Sequence, residues 1–421
     1  MTSSSPAART NSLPLPGSDS CVHCGFCLQA CPTYLALDDE NDSPRGRIVL
    51  MQAIAAGALD FDDADARLHL DRCLGCRACE TACPSGVPYG QLLELTRERG
   101  AARRGIPLVA RLVLSVFASP SLLGMSMWKA RLLRASGIAA LLSRLPGRVG
   151  FAMAMLASTR RTGEESSRAY DPRGDGSRGT VATLDGCVME GLFAPANRAT
   201  ERTLAVNGYQ LVRADGQRCC GALHVHAGDA KAARDLARLN IAAFERSGAE
   251  FIAVNSAGCG AAMKEYAHLL SGDPAWSQRA RAFSVKVRDV SELLAAAGPV
   301  AGGARPQKVA YDAPCHLLHA QRVTSPPLAV LAAIPGLDLV PLADSDQCCG
   351  SAGLYSLVEP AISALVLAPK LASIAASEAP VVATGNPGCL MQIGAGLMRS
   401  GSVAKTRHPV ELLDASYAGR G

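Results

Sequence analysis

Two short runs of cysteine constrain this chain more than any other feature of its sequence. Both have the spacing Cys-x2-Cys-x2-Cys-x3-Cys-Pro, the first over residues 21–32 and the second over residues 73–84. Three thiolates at this spacing on a curled loop can reach three iron corners of a [4Fe–4S] cubane, while the fourth, at the start of a helix, points elsewhere. Structural zinc sites favour two separated Cys-x2-Cys pairs instead. The spacing therefore predicts two [4Fe–4S] clusters rather than zinc or a disulfide knot.

In two-cluster ferredoxins, the fourth cysteine of each run binds the other cluster. By that rule, the ligands of cluster 1 are Cys21, Cys24, Cys27 and Cys83. The ligands of cluster 2 are Cys73, Cys76, Cys79 and Cys31. Backbone N–H groups of the two loops would point at the sulfides and stabilise the anionic clusters.

The segment between the two runs is longer than the link in a compact bacterial ferredoxin. It contains Ser43-Pro-Arg-Gly-Arg47, followed by a predicted helix, Ile48–Ala58. Arg45 and Arg47 are candidates to neutralise cluster charge or to dock a partner, and a solvated helix start explains them equally well. The arrangement resembles the alpha-helical ferredoxin domain of succinate dehydrogenase-type iron–sulfur subunits.

The other eight cysteines lie in a duplicated region. They are Cys187, Cys219, Cys220, Cys259, Cys315, Cys348, Cys349 and Cys389. Matching landmarks of the two copies are offset by 128, 129 and 130 residues, which indicates an internal repeat. We expect strands that end in cysteine over Thr180–Cys187, Phe251–Cys259, Lys308–Cys315 and Val381–Cys389. They alternate with helical stretches such as Ala230–Arg246 and Pro360–Ser377, which predicts parallel or mostly parallel sheets covered by helices.

Each copy contains two adjacent cysteines followed by glycine, at 219–221 and 348–350. Open α/β sheets place ligands beyond the ends of their strands, so these cysteines could hold a further cluster or act as a redox-active thiol site. A strained vicinal disulfide and a pair of buried apolar thiols are the alternatives. Nearby histidines are weaker candidates for metal ligands: His224, His226, His316 and His319.

The repeated frame resembles the cysteine-rich (CCG) domain. That domain occurs in the heterodisulfide reductase B subunit, the anaerobic glycerol-3-phosphate dehydrogenase C subunit and the glycolate oxidase iron–sulfur subunit. In the heterodisulfide reductase form, each copy ends in Cys-x2-Cys, and five cysteines hold a non-cubane cluster. Here the copies end Cys259-Gly-Ala-Ala262 and Cys389-Leu-Met-Gln392, so the fifth ligand is missing in both. The resemblance implies one cluster per copy on four thiolates, or a thiol site, rather than two full non-cubane clusters.

From about residue 20 to residue 415 the chain resembles the glycolate oxidase iron–sulfur subunit family. The matching segments are Cys21-Val-His-Cys-Gly-Phe-Cys27, Cys31-Pro-Thr-Tyr34, Pro44-Arg-Gly-Arg-Ile48, Asp71-Arg-Cys-Leu-Gly-Cys76, Cys83-Pro-Ser-Gly-Val87, Ser256-Ala-Gly-Cys-Gly260, Lys264-Glu-Tyr266 and Cys348-Cys-Gly-Ser-Ala-Gly353. The resemblance implies a subunit with no catalytic residues of its own. A separate FAD-binding subunit would oxidise glycolate to glyoxylate, and electrons would leave singly through this chain towards quinone or another membrane acceptor. No G-x-G-x-x-G follows a strand, so we expect no flavin or NAD on this chain.

The predicted fold class is α/β, with an N-terminal α-helical two-cluster ferredoxin domain and duplicated α/β cysteine-rich domains. The predicted divisions are a disordered tail (1–20), the ferredoxin domain (21–98), a basic helical linker (99–179), the first CCG domain (180–300) and the second CCG domain (301–415). The tail has no apolar core long enough for an export signal. We therefore expect reduced thiolates and a cytoplasmic protein, either free or peripheral on the inner face of the cell membrane.

The linker has an unusual charge pattern. From Arg99 to Thr162 it contains eleven Lys or Arg residues and no acidic residue. With Trp128 this pattern suits an amphipathic helix on an anionic membrane surface, but we favour core-packed helices with a basic outer face. The uncharged run Leu112–Trp128 includes Pro120 and is too short to span a bilayer comfortably. The net charge of +5, without basic runs interleaved with aromatics, argues against nucleic-acid binding.

Three alternatives to the glycolate assignment stay open from the sequence. The electron donor could be a lactate or glycerol-3-phosphate dehydrogenase. The chain could be a heterodisulfide-reductase-like subunit that acts on thiols and disulfides through the CCG cysteines. It could also be a zinc-stapled scaffold with no redox role.

Overall fold

The computed structural model describes residues 15–160, 176–353 and 355–419. Most of the predicted tail and most of the polar end of the linker, residues 161–175, lie outside the described residues. The described chain has a helical N-terminal part followed by two α/β units with parallel sheets. The predicted fold class is therefore confirmed.

Short helices surround the N-terminal cysteines. They are Pro32–Leu37, Pro44–Ala55, Ala64–Asp71, Ala78–Thr81 and Tyr89–Arg104. Cys31 is the N-cap of the first, and Pro32 takes the first helical position, as the first cysteine run predicts. Cys83 does not begin a helix, although Pro84 follows it as Pro32 follows Cys31, and the next helix starts only at Tyr89. The expectation that each fourth cysteine starts a helix is therefore correct for the first run and wrong for the second.

The helix predicted over Ile48–Ala58 begins earlier. Ser43 caps it through its Oγ, which accepts a hydrogen bond from the N–H of Gly46, and Pro44 occupies the first turn. Both arginines of this segment therefore lie on the helix itself rather than ahead of it.

The linker is helical, as predicted. Its helices are Leu108–Ala118, Pro120–Ala135, Ile138–Leu142 and Gly147–Ser158. The preceding helix continues through the predicted boundary at 98/99 and ends at Gly105, whose φ of 74° favours glycine. The last linker helix, Gly147–Ser158, packs against the helix Pro387–Arg399 of the second α/β unit.

Each α/β unit contains a four-stranded parallel sheet. The first consists of β1 (Thr180–Thr183), β2 (Gln210–Val212), β3 (Phe251–Val254) and β4 (Val287–Asp289). The second consists of β5 (Gln307–Tyr311), β6 (Leu337–Val340), β7 (Val381–Ala383) and β8 (Lys405–Arg407). The orders β2-β1-β3-β4 and β6-β5-β7-β8 are the same topology. Val181 pairs with residues of both neighbouring strands, and Val309 does the same in the second sheet, which confirms the internal repeat.

Helices cover both sheets. In the first unit they are Val188–Leu192, Ala194–Val206, Ala222–His226, Ala230–Ser247, Ala257–Lys264, Tyr266–Leu269, Ser277–Ser284 and Val290–Ala297. In the second they are Ser325–Ala332, Tyr355–Val358, Pro360–Ser377, Pro387–Arg399 and Pro409–Ala418, with a π-helical turn at His316–Ala320. The two helices predicted by name are confirmed. Val181 and Val309 belong to one buried cluster, so the two units share a hydrophobic core.

The strands stop short of the cysteines, which corrects the predicted strand ends. β3 ends at Val254 and β7 at Ala383, so Cys259 and Cys389 lie in the helices that follow. In the second unit Pro387 fixes the start of that helix, because proline is favoured in a first helical turn. The thiols therefore sit beyond the carboxyl edges of the sheets, in the first turns of helices or in adjoining loops.

Within the described residues, one helix is long and apolar enough to cross a membrane, Pro360–Ser377. Ala110–Ala118 and Pro120–Ala135 meet the same criterion only as a pair, bent by 106°. Core helices of globular proteins also meet it, and Pro360–Ser377 buries Val366, Leu367 and Ile374 in the second α/β unit.

Candidate iron–sulfur sites

The predicted ligands of cluster 1 line one cavity in the N-terminal part. The lining cysteines are Cys21, Cys24, Cys27, Cys79 and Cys83. Cys83 thus lines the same cavity as the three cysteines of the first run, as the ligand exchange requires. The guanidinium of Arg45 lies beside this loop and donates to the carbonyl of His23 at 3.2 Å. Burial raises the pKa of the Cys27 thiol, and the backbone N–H of Arg45 acts in the opposite direction.

The predicted ligands of cluster 2 line a separate cavity. Its cysteines are Cys31, Cys73, Cys76 and Cys79. The N–H of Gly75 lies 3.4 Å from the sulfur of Cys73, and the hydroxyl of Tyr89 lies 3.5 Å from the same sulfur. The structure thus brings Cys31 of the first run together with the three cysteines of the second run. That these four thiols bind a cluster stays a prediction.

A buried ion-pair network holds Cys31 in place. Arg47 is 1% exposed and donates to the Oδ1 of Asp42 and the Oγ1 of Thr33, both at 3.0 Å. Its Nη1 lies 4.0 Å from the sulfur of Cys31. Arg72 binds the other oxygen of Asp42 at 3.0 Å. The sequence left open whether Arg47 neutralises cluster charge or is only part of a solvated helix start. Because Arg47 is buried beside Cys31, the structure supports a role at the cysteines.

The cysteines of the second repeat converge on Cys348. Cys349 Sγ and Cys389 Sγ lie 3.3 Å apart, and the N–H of Gly350 lies 3.4 Å from Cys348 Sγ. Hydrogen bonds from the thiols of Cys315, Cys349 and Cys76, and from that N–H, hold the pKa of Cys348 well below its usual value. A thiolate is the form that binds metal.

The first repeat has a similar arrangement. Cys219 Sγ lies 3.9 Å from Cys187 Sγ. Hydrogen bonds from Cys187 and Cys220 hold the pKa of Cys219 well below its usual value. Cys220 is hydrogen-bonded to Cys259. All four predicted thiols of each repeat are therefore brought together.

The four histidines do not form one group. His319 is engaged by the hydroxyl of Thr81, 2.7 Å from its Nδ1, and by the carbonyl of Asp346. The rings of His226 and His316 lie 5.6 Å apart, and burial lowers their pKa values to about 3 and about 4. Both rings are therefore neutral at physiological pH. His224 is buried beside Cys219.

The sequence alone does not single out several residues at these sites. Tyr89 and Asp42 carried no local signal, because their roles depend on neighbours elsewhere in the chain. Lys370 forms a buried ion pair with Asp312, with Nζ 2.8 Å from Oδ1. It also donates to the carbonyl of Asp344 at 2.6 Å. The single charge of Lys370 in the otherwise uncharged helix Pro360–Ser377 was a signal that could have identified it.

The chemistry of these donor sets fits iron–sulfur clusters. Each predicted set supplies four thiols, and backbone N–H groups point at sulfur at Gly75 and Gly350. Hydrogen bonds to the sulfurs and burial are the main means by which a protein sets the potential of such a cluster. Arg47 adds a buried positive charge beside the second set.

Comparisons with known proteins agree with this layout. The family model described as 4Fe-4S dicluster domain matches residues 17–87, and the one described as Cysteine-rich domain matches residues 181–264 and 309–394. The glycolate oxidase iron-sulfur subunit of Escherichia coli (strain K12) is 33% identical over 403 residues, which cover 94% of this chain and 93% of that protein.

A Bacillus subtilis (strain 168) protein named probable glycolate oxidase iron-sulfur subunit is 37% identical over 412 residues, again covering 94% of this chain and 93% of the relative. Lactate utilization protein A of Exiguobacterium sp. is 31% identical over 236 residues, which cover 56% of this chain and 96% of that protein.

Proposed function

Because this chain belongs to the family of glycolate oxidase iron–sulfur subunits, we propose that it is the electron-transfer subunit of a glycolate oxidase. A flavin-containing partner subunit would oxidise glycolate to glyoxylate, and this chain would carry the electrons onward one at a time. The chain is thus part of an enzyme, and the substrate reacts on the partner.

The observation that carries the proposal is the pair of adjoining cysteine-lined cavities. Each is lined by the four cysteines of one predicted ligand set, and Cys79 lines both. We assign one [4Fe–4S] cluster to each cavity. Two clusters side by side provide the one-electron outlets that a two-electron flavin donor requires.

We place the flavin partner on the loop around cluster 1. Cys24 is exposed, and two apolar side chains of the same loop, Val22 and Phe26, are each 68% exposed. An apolar patch beside the outermost cluster would be covered by a partner that delivers or removes electrons there.

We place the acceptor side at an anionic membrane surface, with quinone as the acceptor and the protein peripheral on the inner face of the membrane. The helix Pro120–Ala135 packs against the helix Val188–Leu192, but none of its residues is fully buried. Trp128 is 60% exposed and Leu141 63% exposed. These exposed apolar side chains belong to the segment from Arg99 to Thr162, which has eleven basic residues and no acidic residue. That combination fits helices that lie on the surface of an anionic membrane.

Sedimentation with lipid vesicles tests the membrane contact. We expect the full chain to bind vesicles rich in anionic lipid at low salt, to bind less at high salt, and to bind zwitterionic vesicles weakly. Replacing Trp128 and Leu141 by Glu should abolish binding, while a matched change at Leu239, an exposed leucine of the first repeat, should not. A failure to bind anionic vesicles at low salt would contradict this contact.

Reduction by substrate tests the function. The chain is co-purified anaerobically with its FAD-binding partner, and glycolate, lactate or glycerol 3-phosphate is added. We expect glycolate to produce the EPR signals of reduced clusters fastest. Faster reduction by lactate would favour the lactate alternative, for which the similarity covers only 56% of this chain. Disulfide reduction by the isolated chain would favour the thiol-reductase alternative.

Iron and sulfide analysis of the same preparation decides the cofactor content. About eight irons per chain correspond to two [4Fe–4S] clusters with empty CCG repeats, and about twelve or more to additional clusters in the repeats. Zinc in place of iron would contradict the redox role.

A further inference from the structure

The thiol of Cys76 connects two cysteine sets that lie far apart in the sequence. It lines the cavity of the cluster 2 ligands together with Cys31, Cys73 and Cys79. It also packs in one buried cluster with Cys348 of the second repeat. The ferredoxin part and the second repeat therefore meet at these two cysteines.

This contact is buried in an apolar environment. Cys76 is 8% exposed and Cys348 5% exposed, and both belong to one apolar cluster with Leu74, Ile362 and Val366. In such a low-dielectric contact there is little solvent to reorient when a charge crosses. The environment of the two sulfurs is thus suited to electron transfer.

The loop that carries Cys76 is fixed to the second repeat on both sides of this contact. Before the loop, the hydroxyl of Tyr355 donates to the carbonyl of Arg72 at 2.8 Å. After it, the hydroxyl of Thr81 lies 2.7 Å from Nδ1 of His319. These two contacts hold the register of Cys76 against Cys348.

The first repeat is placed differently. Cys219 is the counterpart of Cys348, and its hydrogen bonds are to Cys187 and Cys220 of its own repeat. The ferredoxin loop reaches the first repeat through an ion pair between Arg77 and Glu265. The repeat is symmetric in topology, but the ferredoxin part contacts its two copies in different ways.

We propose that the second repeat holds an iron–sulfur centre on Cys315, Cys348, Cys349 and Cys389, and that this centre exchanges electrons with cluster 2 directly across the Cys76–Cys348 contact. The proposal rests on the electron-transfer function proposed above. One electron crosses the contact in each step, so that one centre is oxidised as the other is reduced. No bond forms or breaks, and no proton moves.

The repeat supplies matched variants for the test. The full chain is purified anaerobically, reduced with dithionite, and studied by EPR and iron analysis. Cys348→Ser and Cys389→Ser alter the second repeat, and Cys219→Ser and Cys259→Ser alter the corresponding positions of the first. The signal of cluster 2 is the one that Cys31→Ala removes.

We expect both second-repeat variants to lose about four irons per chain. We also expect them to narrow the EPR signal of cluster 2 and to slow its spin relaxation, because a neighbouring paramagnetic centre has been removed. The first-repeat variants should leave the cluster 2 signal unchanged. Retention of the cluster 1 signal shows that each variant has folded.

An unchanged cluster 2 signal in Cys389→Ser would overturn the proposal, because the contact would then have no redox centre behind it. An equal effect of Cys219→Ser and Cys348→Ser would overturn it too, because the two repeats would be equivalent neighbours. Dithionite reduces the clusters whatever the natural donor is. The second-repeat variants could therefore alter the cluster 2 signal even if glycolate fails to reduce the clusters. That pair of results would contradict the proposed substrate but support this inference.

Discussion

The guanidinium of Arg47 lies 3.0 Å from the carboxylate of Asp42, and both side chains are sealed from solvent. The pair sits behind Cys31, whose sulfur is 4.0 Å from the same guanidinium. Buried ion pairs are costly to break, because the remaining partner keeps its charge without solvation. Here the pair also fixes the thiol that the first cysteine run is predicted to contribute to cluster 2.

Arg47→Gln should therefore destabilise the chain and affect cluster 2 selectively. We expect the free energy of unfolding to fall by about 3 kcal/mol, towards the low end for a broken buried pair, because Arg72 still compensates Asp42. Denaturant unfolding measures the loss, and EPR shows which cluster is affected. Arg45→Gln, on the same helix but in a partly exposed pair with Glu40, is the control and should have a smaller effect. Equal losses from the two variants would contradict the structural role of Arg47.

The ligand exchange predicts crossed effects of two substitutions. Cys31→Ala should remove the EPR signal of cluster 2, and Cys83→Ala that of cluster 1, since each thiol lines the cavity of the other run. Each variant should keep the other cluster. Loss of the cluster of the same run in both variants would refute the exchange.

Tyr89→Phe should lower the reduction potential of cluster 2. The Tyr89 hydroxyl is 3.5 Å from Cys73 Sγ, and hydrogen bonds to ligand sulfur favour the reduced, more negative cluster. A hydrogen bond worth about 0.5–1.5 kcal/mol corresponds to roughly 20–60 mV for one electron. An EPR-monitored redox titration measures the shift. Tyr209→Phe, which removes a hydroxyl bonded to the carbonyl of Leu293, should leave the potential unchanged.

Glu94 should make stability depend on pH. It lies between the ferredoxin part and the first repeat, where burial, followed by the nearby Glu265, raises its pKa to about 8. In the folded chain this carboxyl stays protonated up to about pH 8, whereas in the unfolded chain it ionises near its usual value of 4.5. Its contribution to stability is therefore complete below about pH 4.5 and is lost as pH rises towards 8.

Glu94→Gln removes this dependence. Relative to the variant, the wild-type chain should lose on the order of 3 kcal/mol of unfolding free energy between pH 5 and pH 8. Denaturant unfolding of the holoprotein at the two pH values measures the difference. Parallel pH profiles of the two proteins would show that Glu94 ionises normally in the folded state.

Much of the architecture could be predicted because its signals are local. Short motifs reveal the repeat, and short apolar stretches predict the strands and the helix Pro360–Ser377. The strands end earlier than the sequence predicts, since Cys259 and Cys389 belong to helices. When an apolar stretch is followed by glycine and cysteine, the sequence pattern does not show where the strand ends and the next helix begins.

The sequence by itself determined the class of cofactor and the candidate ligands, because the thiols of each run are neighbours along the chain and their spacing matches the cluster. Only the tertiary structure decided that Arg47 is buried beside Cys31 and that Cys76 meets Cys348 rather than Cys219. These relationships join segments that are distant in sequence. They depend on how the ferredoxin part packs onto the two repeats, and spacing within a motif carries no information about that packing.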